Sequence, residues 1–264
     1  MSDLDRNYAS PFGRAGAGRI DAAAVDAGLR AYMLRIYNYM SIGLAITGLA
    51  ALGVYMAAVT GDPSAAAARI GNAYLTAFGV ALFVGPLKWL FILAPLVMVF
   101  AISAGINRFQ PATSQLLFWV FSALMGVSLS SIFLVYTHTS IVRVFFITAA
   151  TFGALSLYGY TTRRDMSGMG SFLFMGLIGV VIASLVNLFL ASSMLQFIVS
   201  VVGVLVFAGL TAWDTQRLKN DYIYGYASQG GVMAERAAIT GALSLYLNFI
   251  NLFTLLLQLL GQRD

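Results

Sequence analysis

Apolar residues in this chain do not alternate with polar ones; they run in blocks. Seven blocks stand out, at about 38–59, 85–107, 115–136, 143–161, 171–191, 194–213 and 239–260. A helix that crosses the hydrocarbon core needs about 20 mostly apolar residues. Each block is near that length, so the pattern predicts seven spanning helices whose backbone groups are satisfied internally, because lipid offers them no partner. A shorter apolar stretch, 73–83, is cut off from the second block by Gly85-Pro86. Proline lacks the helix donor and clashes with the preceding turn, so 73–83 is expected to lie at the membrane interface. Gly61, Asp62 and Pro63 signal a turn after the first block. Almost nothing separates the fifth and sixth blocks, which predicts a tight hairpin. The stretch 214–238 reads as a long exposed loop.

Polar residues inside the blocks refine this picture. In the seventh, Thr240, Ser244, Asn248, Asn251 and Gln258 follow at steps of four, four, three and seven. At helical period they share one face. A polar stripe on a membrane helix faces protein or water rather than lipid, so the seventh helix is expected to be central. Two readings of the stripe stay open: plain hydrogen bonds to neighbouring helices, at about 0.6 kcal/mol each, or the wall of a polar path. Ser122, Gly126 and Ser130, and Gly176, Gly179 and Ala183, are spaced for close helix packing. Ser128, Ser130 and Ser131 are weaker candidates for a polar lining. Asp214, in FAGLTAWDTQRLKND, is the acid at the edge of an apolar block. It is either a local partner of Arg217 one turn on or a buried, titratable carboxylate.

Composition and charge support the membrane reading. The chain of 264 residues is 60% hydrophobic and 9% charged, against about 25% charged in soluble domains. It has no cysteine and one histidine, His138, which excludes disulfides, thiolate metal sites and multi-histidine metal centres. No nucleotide loop or G-x-S-x-G elbow is present, so an enzyme is not expected. The first thirty residues read as a flexible polar tail without a signal peptide, followed by a transmembrane domain at 31–262. With the N-terminus cytoplasmic, eleven of the fifteen Lys and Arg fall in cytoplasmic segments and four opposite. The positive-inside rule favours that orientation, which also accounts for the net charge of +5 without nucleic acid.

Three strings carry a family likeness: LTAWDTQRLKN, ALSLYLNFINLF and SLYGYTTRRDMSGMG. They resemble the Bax inhibitor-1 (transmembrane Bax inhibitor motif) family and its bacterial members, over about 30–262. The resemblance implies an all-α membrane fold of seven helices with the seventh surrounded by six. It also implies a pH-responsive calcium leak, with an aspartate on the sixth helix and another on the seventh as sensor. The first matches Asp214. Where the family pattern L-Y-L-D-F-I-N has its second acid, this chain has Asn248. Two carboxylates in one site couple their titrations; Asp214 with Asn248 cannot. An arginine near the end of the second helix, matching Arg108, would face them.

The reading is thus a multi-pass protein of the bacterial inner membrane. Its expected function is a calcium leak or ion-homeostasis protein, with Ca2+ as the transported ion and no tightly bound cofactor. The alternative is a regulator of a membrane-anchored AAA protease acting through the polar tail.

Overall fold

The computed structural model describes residues 12–105, 109–226 and 231–263. Nine α-helices are seen among them: α1 (Phe12–Ala58), α2 (Ala77–Phe83), α3 (Leu87–Gly105), α4 (Pro111–Leu129), α5 (Ile132–Val135), α6 (His138–Thr161), α7 (Ser167–Leu190), α8 (Ser193–Tyr224) and α9 (Gly231–Leu260). Six segments are long and apolar enough to cross a membrane; α2 and α3 together make a seventh if the bent pair counts as one span. The all-α membrane class is therefore seen directly. α2 and α3 meet at 57°, and the break falls at Val84, Gly85 and Pro86, where proline ends the ladder.

Three departures from the sequence reading have physical causes. α1 begins at Phe12, within the stretch read as a flexible tail; residues 1–11 lie outside the described ones. The link after α1 holds a small antiparallel sheet, β1 (Val59–Thr60), β2 (Ala68–Ile70) and β3 (Ala73–Leu75), in the order β1-β3-β2. Strands of two or three residues are too short to leave an alternating pattern. Finally, 214–238 is not a long loop: α8 runs on to Tyr224 and α9 starts at Gly231. The polar run after Trp213 stays helical because Asp214, Thr215, Gln216 and Leu218 are buried against neighbouring helices. Asp214 accordingly lies well inside α8.

Small residues set the close helix crossings. A Cβ at Gly126 would collide with the Thr47 carbonyl oxygen of α1, and one at Gly159 with the Ala212 carbonyl oxygen of α8. Between α7 and α8, Ala191 adopts left-handed φ 49° and ψ 32°. The Asn187 side-chain oxygen accepts from the Ser192 N–H at 3.0 Å, and the Ser192 hydroxyl accepts from the Leu195 N–H. The predicted hairpin is thus two residues long and capped on both sides.

The helix at the centre is α9. Of its apolar window 61% is buried, against 11–39% for the other five long segments. It packs against α1, α4, α6 and α8. Tyr246 is fully buried, with its ring edge-on to Phe118 and Phe121 and its hydroxyl 2.6 Å from that of Thr47. Without that partner the phenol would be an unsatisfied polar group in lipid-depth protein. The far end of α9 is tied to the start of α6: the Gln262 N–H donates to the Ser140 hydroxyl, and the Thr137 N–H to the Gln262 carbonyl.

Candidate functional site

The polar face of α9 meets Asp214 of α8. The Asn248 side-chain amide donates to Asp214 Oδ2 at 2.7 Å, and the Ser244 hydroxyl donates to the same oxygen at 2.9 Å. Arg217 Nη2 lies 2.7 Å from Oδ1. Three donors thus converge on one carboxylate that is 4% exposed. Burial of this acid is tolerable because each oxygen has a partner, Arg217 among them.

The Arg217 side chain is 41% exposed, so its ion pair contributes little by itself. Its position matters more. The guanidinium lies over the Trp213 ring at 4.7 Å, and Arg217 lines two separate cavities. One, of about 680 Å³, runs between α7, α8 and α9 and is lined by Asp214, Ser244, Asn248, Asn251 and Gln258. The other, of about 370 Å³, is lined by Tyr32, Asp221, Arg236 and Thr240. Arg217 therefore stands on the partition between a groove within the helices and a polar vestibule.

From Ser244 to Gln258 the groove follows α9 for fourteen residues, about 21 Å at helical rise and roughly two thirds of the hydrocarbon layer. At its far end Gln258 accepts a hydrogen bond from the Ser200 hydroxyl at 2.8 Å. Midway, the Asn251 amide donates to the Leu247 carbonyl of its own helix, leaving its oxygen available to a visitor in the groove. Ser184 of α7 also lines the wall.

Most of the residues singled out in the sequence thus come together. Asp214, Asn248 and Ser244 are in hydrogen-bonding reach, and Asn251 and Gln258 continue the same wall. Thr240 does not join them. It is exposed, donates to the Arg236 carbonyl, and lines the vestibule instead. Arg108 lies outside the described residues. Ser128, Ser130 and Ser131 donate to backbone carbonyls, Ser128 to that of Phe91. His138 opens α6 beside Tyr55 and Phe133, at 5.4 and 5.6 Å between ring centres. Among the described residues no three His, Cys, Asp or Glu side chains cluster as metal ligands.

Two further polar devices were not singled out from the sequence. Gln216 is buried; its oxygen accepts from the Met166 N–H and its amide donates to the Arg164 carbonyl. It ties α8 to the link between α6 and α7. The neighbouring Thr215 hydroxyl is 3.0 Å from that of Ser156, which is 2.5 Å from Tyr37. The signal was three consecutive polar residues, Asp214, Thr215 and Gln216, in a stretch that must be helical. They point to three faces, so each needs its own partner.

A family model described as "Inhibitor of apoptosis-promoting Bax1" matches residues 29–264. The chain belongs to the Bax inhibitor-1 family. Its relatives include the inner membrane protein YbhL of Escherichia coli, 45% identical over 239 residues, covering 90% of this chain and 94% of that one. RP147 of Rickettsia prowazekii is 45% identical over 238 residues, 90% of this chain and 92% of its own. A protein of Caulobacter vibrioides is 42% identical over 263 residues, 99% of this chain and 98% of its own. With its apolar helices, this Bax inhibitor-1 family chain is a multi-pass protein of the bacterial inner membrane.

Proposed function

We propose that the chain is a cation leak protein, permeable to calcium, whose path is the groove between α7, α8 and α9. One observation carries the reading: a groove at membrane depth, lined by the buried Asp214 carboxylate and by the neutral oxygens of α9. Calcium takes carboxylate, carbonyl and hydroxyl oxygens in flexible geometry. One carboxylate with amide and hydroxyl oxygens offers a passing cation a weak site, and weak binding is what permeation requires.

In this conformation Arg217 supplies the positive charge that a cation would bring to Asp214, so the path is closed on that side. Opening requires Arg217 to leave Asp214 Oδ1. Its present partners are Asp214 and the Trp213 ring; Asp221, one turn further along α8, faces it from the vestibule.

The test is calcium flux into proteoliposomes. Asp214→Ala should lower flux at least tenfold, and Arg217→Gln should raise it. Parent-level flux from Asp214→Ala, with unchanged pH dependence, would show that Asp214 serves only its neighbours and would end this reading. A chain without flux that co-purifies with a membrane protease, and loses its effect when residues 1–30 are deleted, would instead support a regulatory role.

A further inference from the structure

A second groove, on the other side of α9, has no part in the proposed ion path. α1 packs on α4, α8 and α9, and α6 packs on α8 and α9, whereas α1 and α6 approach each other only sparsely and are linked by the Tyr37–Ser156 hydroxyl pair. Between them lies a chain of cavities. The first, of about 510 Å³, reaches from Arg30 past Met40, Ser41 and Phe152. The second, of about 670 Å³, shares those three residues and goes on to Leu52. A third shares Leu44, Gly48, Phe145 and Phe249 with the second and is floored by α9. From Arg30 to Leu52 the groove follows α1 for twenty-two residues, about 33 Å. That matches the roughly 30 Å of hydrocarbon in a bilayer.

Two glycines show that this space is kept open. A Cβ on Gly48 of α1 or Gly153 of α6 would touch nothing within 4 Å, whereas those on Gly126 and Gly159 would strike backbone. Packing within the protein therefore does not require glycine at 48 or 153. Glycine inside a helix is still less stable than alanine. Both glycines line the groove. Gly153 of α6 and Gly48 of α1 leave bare backbone at two heights of this slot.

The charge at one end says which lipid fits. Among the described residues, Arg30 is the one charged residue lining the three cavities, and none of them is lined by an acid. Lys219 stands behind the same end, its ammonium donating to the Tyr160 carbonyl at 2.8 Å, and Tyr160 lines the first cavity. We infer that the groove between α1 and α6 is a binding site for one anionic phospholipid, with an acyl chain lying along Gly153 and Gly48 and the headgroup phosphate at Arg30.

The experiment is native mass spectrometry of the delipidated full-length chain. It is titrated with phosphatidylglycerol and with phosphatidylcholine carrying the same acyl chains. One lipid should bind tightly, phosphatidylglycerol about fivefold better, as one basic group near the surface implies. Arg30→Gln should remove that preference and leave phosphatidylcholine binding unchanged. Gly48→Leu with Gly153→Leu should fill the slot and weaken both lipids at least tenfold. Equal binding of both lipids to the parent chain, or parent-like binding by the filled variant, overturns the proposal. So does competition by inorganic phosphate, which would mean a plain anion site. If the filled variant does not fold, photoactivatable phosphatidylglycerol on the parent chain decides the matter. Its crosslinks should map to 30–52 and 145–160; crosslinks only elsewhere overturn the site. None of these outcomes depends on ion flux.

Discussion

At the scale of single residues, the carboxylate of Asp214 is defined by what replaces its expected partner. Asn248 donates to it and cannot share a proton with it. Asn248→Asp restores a pair of carboxylates in contact, whose titrations are coupled. Flux measured against pH in liposomes should therefore differ in shape between parent and variant. Superimposable curves for parent and variant would show that position 248 does not act on Asp214. A second residue-scale prediction concerns Asp165, in the link before α7. Its carboxylate accepts from the Ser167 hydroxyl at 2.6 Å and from the Ser167 N–H at 2.9 Å. Both bonds favour the ionised form and hold this carboxyl below the usual carboxylate range. A lowered value in the folded state means that the contribution to stability is complete above the ordinary range and lost as pH falls through the folded value. Ser167→Ala should move the Asp165 midpoint upward in a carbon-13 titration; an unmoved midpoint would show that the hydroxyl bond does not form in solution. The site was legible in the sequence as far as residue type and helical spacing reach. Asp214 and the stripe were found because polar groups in an apolar block need partners. The choice among partners was not legible, because Arg217 on the same helix and Asn248 on another satisfy the same carboxylate at once.

At the scale of elements, the long blocks were legible and their edges were not. Hydropathy locates lipid-facing helix, so it stops at Trp213, whereas α8 continues for eleven residues with Asp214, Thr215, Gln216 and Leu218 buried against neighbouring helices. The break at Gly85-Pro86 was readable because proline acts through local geometry. The three short strands were not, since each has too few residues for a period. Close helix crossings offer a direct test. Gly126 lets α4 meet the α1 backbone at Thr47, next to the Thr47–Tyr246 hydroxyl pair. Gly126→Val forces the two helices apart at a cost of about 1–3 kcal/mol and should pull Thr47 from Tyr246. The melting temperature in detergent should fall by several degrees. Gly153→Ala, with open space around it, should hold or raise it. Equal effects of the two changes would show that the crossing is not tight.

At the scale of the whole molecule, the arrangement is a set of helices around α9, with one polar groove and one apolar groove on its two flanks. The polar stripe of α9 foretold its central place, because a membrane helix with amides must turn them inward. The number of crossings depends on whether the bent pair α2–α3 counts as one span. The expected outcome is one span: reporter fusions after Arg164 and Lys219 should read cytoplasmic, and a fusion after Asp264 should read external. With the N-terminus cytoplasmic, external readings after Arg164 and Lys219 together with a cytoplasmic reading after Asp264 would mean that α2 and α3 enter and leave by the same face. The central place of α9 also bears on how the chain is made. It leaves the ribosome after α1–α8, so those helices enter the bilayer before their common core exists. Until α9 arrives, Thr47 lacks the Tyr246 phenol, Asp214 lacks two of its three donors, and Phe118 and Phe121 have no ring to pack on. The unfinished protein must be a loose, polar-cored assembly that either waits or is held by insertion machinery. Stalling translation before residue 231 should leave chains that cellular proteases clear within minutes, whereas chains released after Leu260 should persist in a pulse-chase.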